Sequence, residues 1–227
     1  MFRRIIVFLV LSSVKFLGKL FYSFEVEGEE VKDWSNIRLL AWINHTSLFD
    51  ILLICIFPYR YFWKASKHCI SPIAEKTIKR PFVGKIFGNL TNKKSSVSQK
   101  RDDTWGQFLD SINDSSIVGL FPEGRMKRKN GLDKYGNKLS IKGGIADILK
   151  KIDDGEMLII YSGGMHHIQS PGESFPRLFQ KIKIRLEIAN IESYKKDLPQ
   201  SDHETFKTEV INDLTKRRSQ NLSALSL

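Results

Sequence analysis

Three short, mainly apolar runs, each breaking off into a turn of polar or small residues, constrain this chain more than any other feature. Residues 38–43 run into Asn44-His45, residues 117–121 into Pro122-Glu123-Gly124, and residues 158–161 into Ser162-Gly163-Gly164. Apolar runs this short, bounded by turn signals, read as buried strands. Between them lie stretches with helical spacing. Trp105, Phe108, Leu109 and Ile112 fall on one face of a helix expected over 98–112. Ile145, Ile148, Leu149 and Ile152 do the same over 144–152, and Phe206, Val210, Ile211 and Leu214 build an amphipathic helix from about 202 to 218. Ser47 is placed to cap an apolar helix over 48–57 that Pro58 stops. Residues 61–65 read as a further strand, and residues 71–92, with their Pro and Gly, give no assignment. Residues 181–188 alternate, Ile182, Ile184, Leu186 and Ile188 against charges, which implies a sheet edge or a face left open to solvent. Alternating strands and helices predict an α/β fold, a mixed β-sheet flanked by helices. The chemically suggestive residues then sit just beyond strand ends, where open α/β sheets bind ligands.

The N-terminus has a different character. Arg3 and Arg4 precede the unbroken apolar residues 5–11, and Lys15 and Lys19 interrupt the apolar pattern that follows. As a helix the unbroken run covers about 10 Å, far less than a hydrocarbon core of about 30 Å. A small-x-small cleavage site, as in a signal peptide, is not evident after it. Lys15 and Lys19 share a helical face, from which both could snorkel to lipid headgroups. Residues 1–30 therefore read as a membrane-anchoring helical segment ahead of a single α/β domain over 31–227; a first helix that simply packs on the core is the alternative. The net charge of +11 favours an anionic partner, whether nucleic acid, an acidic lipid surface or a phosphate-bearing substrate. Nucleic acid fits poorly. The charge is scattered over every segment, with neither a basic stripe carrying stacking aromatics nor a helix-turn-helix pattern. Two cysteines, Cys55 and Cys69, form no metal or redox motif and suit a reducing compartment.

Histidine takes and returns a proton near neutral pH, and a carboxylate beside it fixes its tautomer. His45 and Asp50 are five apart, about 140° around a continuous helix, so they meet only if His45 lies in the strand-to-helix turn and Asp50 in the first helical turn. The strand pattern ends at Ile43 and a helix starts near Ser47, which supplies that arrangement. In the second turn Glu123 follows a rigid Pro, Gly124 permits close backbone approach, and Arg125 offers a planar fork suited to phosphate. The structural alternative for the first pair is a histidine capping a helix. His166-His167 lacks a third ligand at useful spacing and reads as loop, and His68 and His203 as surface residues. Lys127-Arg128-Lys129 could meet headgroups or CoA phosphates, or be a solvated turn; Lys216-Arg217-Arg218 reads as the cationic end of the last helix, favourable to its dipole.

Together, Asn44-His45-x4-Asp50 and Phe121-Pro122-Glu123-Gly124-Arg125 resemble the motifs of the phospholipid/glycerol acyltransferase family, over residues 37–189. Lys142-Gly143-Gly144 matches a further Lys-Gly element. The chain departs from the pattern in three places. The usual Thr between Gly124 and Arg125 is missing, Lys94 stands where Arg is usual, and residues 157–161 lack the common Pro. The resemblance implies a glycerol-3-phosphate acyltransferase-like fold and direct acyl transfer to the hydroxyl of a lysophospholipid or glycerol-phosphate-type acceptor. In that scheme His45 is general base and Asp50 its orienting partner. Asn44, Glu123 and Gly124 shape the acceptor site, and Arg125 with Lys94 holds phosphate. The implied donor is the thioester of acyl-CoA or acyl-carrier protein, with no cofactor and no metal. The implied setting is the cytoplasmic face of a membrane, with phospholipids as partners. No Gly-x-Ser-x-Gly nucleophile elbow occurs, consistent with a mechanism that needs no acyl-enzyme. A non-catalytic lipid-binding relative is the alternative that the departures suggest.

Overall fold

A computed structural model describes residues 2–74, 96–97, 103–199 and 201–225. Among these, helix α1 (Phe2–Phe21) leads into strand β1 (Ser23–Gly28), and β2 (Ile37–Ile43) follows a short 3-10 turn. A 3-10 helix (Leu48–Ile56), α2 (Tyr59–His68) and the two-residue strands β3 (Cys69–Ile70), β4 (Ile73–Ala74) and β5 (Ser96–Val97) come next. Then come α3 (Asp103–Asp110), β6 (Ile117–Leu120), α4 (Gly144–Leu149), β7 (Glu156–Ser162), β8 (Lys181–Asn190), α5 (Ile191–Lys196) and α6 (His203–Leu225).

The main sheet has the order β1-β8-β7-β2-β6-β3, and β4 pairs with β5 separately. Every neighbouring pair is parallel except β7 with β8. The mixed sheet flanked by helices is thus the architecture the alternating pattern predicts. β2, β6 and β7 run side by side with apolar residues on both faces, as buried parallel strands must. Leu39, Ala41, Ile43, Val118, Leu120, Met157, Ile159 and Tyr161 face a core completed by α3, α4 and α6. Ile37, Leu40, Ile117, Leu158 and Ile160 face the opposite core, completed by α1, the 3-10 helix and α2. A register shift between Ile37 and Leu39 sends these two odd-numbered residues to opposite faces.

Four expectations need correction. Residues 61–65 are helix, not strand. Pro58 sets an extended entry, its carbonyl accepts from Tyr61 and Phe62, and these two aromatics bury as one helical face. β8 is interior rather than an edge, and β1 takes the edge position. The charged side of β8 is half-buried, because Glu187 is engaged by Tyr161 and by Arg217 of α6. The last helix continues to Leu225, so Lys216-Arg217-Arg218 is not at its end and a dipole role does not apply. Finally, Lys15 does not snorkel outward. It is buried, its ammonium donates to the Phe57 carbonyl and lies over the Tyr59 ring, and burial pushes its pKa down. The expected helix over 98–112 is described from Asp103, where it runs to Asp110; residues 98–102 lie outside the described set.

α1 packs against the 3-10 helix through Gly18, where an added Cβ would stand 2.3 Å from Cys55 Sγ. Its other side leaves Phe16, Leu17 and Leu20 exposed. β1, which lies within the first 30 residues, pairs along its whole length with β8 and so belongs to the sheet. Gly18→Ala is expected to cost about 1–3 kcal/mol through overpacking against Cys55. In urea unfolding, the Gly18→Ala/Cys55→Ala double variant should lose less than the two single losses combined. Simple additivity would mean that α1 does not seat at this contact.

Candidate active site

β2 ends at Ile43, and the chain turns sharply at Asn44, whose φ of +72° is left-handed. Asn tolerates that region better than most residues. Its Nδ2 donates to the Ser162 carbonyl at the end of β7, 2.9 Å away, which ties the turn to the neighbouring strand. Its Oδ1 is buried with no hydrogen-bond partner among the described residues. Ser47 caps the 3-10 helix by accepting from Phe49 N–H, and Asp50 returns to the Ser47 N–H in a capping box.

One oxygen of that carboxylate gathers the turn. Asp50 Oδ2 lies 2.6 Å from His45 Nδ1 and accepts from Thr46 N–H at 2.9 Å and Ser47 N–H at 3.2 Å. The two residues five apart therefore meet, with the histidine in the turn and the carboxylate in the first turn of the helix. The helix is 3-10 rather than α, and the capping box is drawn tight enough for one oxygen to reach all three donors. An oxygen that already accepts from two amides is an acceptor for Nδ1 as well. Nδ1 then carries the proton, leaving Nε2 with a lone pair. The ring stacks on Phe121 with centroids 4.1 Å apart and keeps about one-fifth of its side chain exposed (20%).

The turn after β6 holds the same histidine from the other side. Gly124 N–H donates to the Phe121 carbonyl at 2.9 Å, and Gly124 sits at φ +67°, a conformation that glycine takes without strain. This closes the turn around Glu123. Glu123 is buried, and both its oxygens are occupied: Oε2 accepts from His45 N–H at 3.0 Å, and Oε1 from Arg218 Nη1 at 3.1 Å. Glu123 thus straps the two motifs together. Lys127 N–H donates to the His45 carbonyl at 2.7 Å, so both backbone polar groups of His45 are tied to this second segment.

Arg125 is half-exposed and paired with Asp133 at 2.6 Å, its guanidinium 4.9 Å from the Tyr135 ring centroid. Asp133, alone as an acid among the bases of residues 125–142, accepts from Tyr135 N–H at 2.7 Å and Asn137 N–H at 2.9 Å. The Asn137 amide, with Arg125 and the Tyr135 amide, holds its carboxyl well below the usual carboxylate range. Residues 125–142 form an arch pinned to the site at both ends, by Lys127 to His45 and by Lys142 N–H to the Pro122 carbonyl at 2.8 Å. Lys94 lies outside the described residues.

Sequence reasoning missed three contributors. Phe121 ends a strand run and opens the second motif, but neither pattern announces that it stacks on the His45 ring. Asp133 carried a legible signal, a single acid in a basic stretch. Arg218 carried only its membership of a charge run. His166 and His167 contact the carbonyls of Lys127 and Lys181 through their Nε2 atoms, and among the described residues no three His, Cys, Asp or Glu side chains are grouped to hold a metal ion.

A family model described as acyltransferase matches residues 23–164, more than half of the chain and including both motif turns. The chain belongs to the acyltransferase family. Among solved structures this acyltransferase is similar to the 1-acyl-sn-glycerophosphate (LPA) acyltransferase PlsC from Thermotoga maritima. The TM-score is 0.58 and the identity 21%, covering 95% of this chain and 80% of that one. At that identity the likeness speaks for the fold. No match was found among curated proteins. The match ends at residue 164, so α6, which delivers Arg218 to Glu123, lies beyond it.

Because the Asp133 carboxyl is held low, its contribution to the arch is complete above its ordinary unfolded value of about 4 and is lost as pH falls through its lower folded value. At neutral pH, Asp133→Ala should make residues 125–142 several-fold more sensitive to trypsin while α6 stays protected. An unchanged cleavage pattern would show that the arch holds without its carboxylate.

Proposed function

We propose that this acyltransferase moves a fatty acyl group from a thioester donor, acyl-CoA or acyl-carrier protein, to the hydroxyl of a lysophospholipid or glycerol-phosphate-type acceptor, with His45 as general base. The supporting observation is the 2.6 Å contact between His45 Nδ1 and Asp50 Oδ2 at the end of a central parallel strand. With Nδ1 committed to Asp50, Nε2 takes the proton of the acceptor hydroxyl as its oxygen attacks the thioester carbonyl. The tetrahedral centre collapses, the carbon–sulfur bond breaks, and the imidazolium returns the proton to the departing thiolate. Asp50 stabilises the imidazolium between the two transfers, and no cofactor enters the scheme. The aromatic plane of Phe121 against the ring limits its rotation, so Nε2 keeps one direction. Asn44 contributes the turn geometry and a buried, unsatisfied Oδ1 beside the site. Arg125, half-exposed and held in place by Asp133, keeps donors for an acceptor phosphate, and Lys94 is proposed to share that task.

A membrane surface is the proposed setting. No helix among the described residues is long and apolar enough to cross a membrane. α1 instead carries an exposed face of Phe16, Leu17 and Leu20. That face is extended by the Phe21–Phe179 ring contact at 6.0 Å to the exposed Phe179. An apolar helix face with basic residues along it lies in the interface rather than through the bilayer.

With acyl-CoA and lysophosphatidate, His45→Ala is expected to lower kcat by about 10²–10⁴-fold, and Asp50→Asn to lose activity likewise while the circular dichroism stays native. Wild-type turnover by a folded His45→Ala protein would refute the base. In vesicle sedimentation, Leu17→Asp/Leu20→Asp should weaken binding to phosphatidylglycerol vesicles by at least about tenfold, since each leucine contributes about 1.5–3 kcal/mol on burial. Undiminished binding would remove α1 from the lipid contact.

A further inference from the structure

α6 presents two adjacent arginines to different partners. Arg217 engages Asp213 at 2.7 Å and also Glu187, whose other oxygen accepts from the Tyr161 hydroxyl at 2.6 Å. Tyr194 donates to the same Asp213 at 2.8 Å. This network, between α6 and the β7–β8 pair, fixes the rotation of the helix about its axis. Successive helical residues point about 100° apart, so the rotation that seats Arg217 swings Arg218 elsewhere. It reaches Glu123 Oε1 at 3.1 Å and the Leu139 carbonyl at 3.3 Å. Among the described residues, Arg218 is the only cation paired with Glu123, whose side chain is 4% exposed.

We infer that Arg218 is a positioning residue for the proposed acyl transfer, holding the His45 turn through Glu123 from a helix that lies outside the family match. The inference rests on the reading of His45 as base. A buried carboxylate that loses its one cationic partner stays ionised at a cost, or is protonated, or draws in water. Protonation or entering water weakens its acceptance from His45 N–H, and a carboxylate that stays ionised is drawn toward water, so the amide loses an acceptor that Arg218 held in place. That amide is one of the attachments that set where the imidazole stands, and a displacement of about 1 Å of a reacting group costs on the order of 10²-fold in rate. Neither substrate needs to touch Arg218, so the loss belongs to kcat and not to KM.

The test compares wild type, Arg218→Ala, Arg218→Lys, Glu123→Gln and Arg218→Ala/Glu123→Gln, in full-length protein with acyl-CoA and lysophosphatidate. Expected for Arg218→Ala is a fall in kcat of about 10- to 100-fold, KM values within about twofold, and partial recovery with added methylguanidine. Arg218→Lys should fall between, and the double variant should be no worse than Glu123→Gln, because Arg218 acts only through that carboxylate. A readout independent of turnover comes from isotope-labelled histidine, of which the chain has five. The His45 amide resonance, identified by its loss in His45→Gln, should shift in Arg218→Ala in the same direction as in Glu123→Gln. An unmoved His45 amide overturns the inference, as do losses that multiply in the double variant or a kcat within twofold of wild type. If the wild type transfers no acyl group to any lysolipid while the amide shift is present, the reading of the reaction fails and the coupling of Arg218 to His45 stands.

Discussion

Asp50 Oδ2 is asked to do three things at once, and the local structure follows from that. It accepts from the His45 ring, the Thr46 amide and the Ser47 amide, all within 3.2 Å. A single oxygen can reach a ring and two successive amides only if the chain reverses abruptly after β2. The left-handed Asn44 makes that reversal, and the tight 3-10 turn brings residue 50 back under it. The hydrogen bonds that cap the helix are thus the ones that orient the imidazole. On the proposed reaction, capping a helix and preparing a base are one arrangement, and the alternative of a merely structural histidine describes the same contacts without their consequence at Nε2.

The sheet order explains why the second motif arrives at the same place. β2 has β7 on one side and β6 on the other, all parallel, so the three turns that follow them open at one edge. Asn44 bonds to the end of β7, and the amide and carbonyl of His45 bond to Glu123 and Lys127 beyond β6. The histidine is therefore held by hydrogen bonds to both neighbours of its own strand. The flanking apolar cores set the strand positions, and the polar bonds at the ends convert those positions into a fixed direction for one ring.

Much of this could be read from residues. Short apolar runs that stop at Asn44, Pro122 and Ser162 gave the strands and the edge at which the site forms, and the offset of five residues, with Ser47 between, required the turn that is observed. Other parts depended on facts a linear pattern does not carry. Residues 61–65 have aromatic, strand-favouring side chains, but whether they become helix or strand is settled by the core that takes up Tyr61 and Phe62 after Pro58. Lys15 reads as a surface charge because nothing nearby in sequence announces that the Phe57 carbonyl lies across from it. Arg217 and Arg218 look alike in a charge run; only the packing of α6 gives one to the β7–β8 network and the other to Glu123.

The two sides of α1 connect the proposed membrane setting to the site. Its inward side meets the 3-10 helix at Gly18 against Cys55, and Lys15 bonds the Phe57 carbonyl just past that helix. The first turn of the same 3-10 helix carries Asp50. A side chain larger than hydrogen at residue 18 would force the two helices apart, so the glycine sets their separation as closely as any bond does. If the outer face of α1 rests among lipids, the depth at which it rests is transmitted through one short, closely packed element to the carboxylate that orients His45. On the proposed reaction, an acceptor whose acyl chain stays in the bilayer must bring its hydroxyl to Nε2 at a definite height above the hydrocarbon. A helix that touches lipid on one face and the element bearing Asp50 on the other is a direct way to fix that height, because α1 packs on that element without an intervening segment.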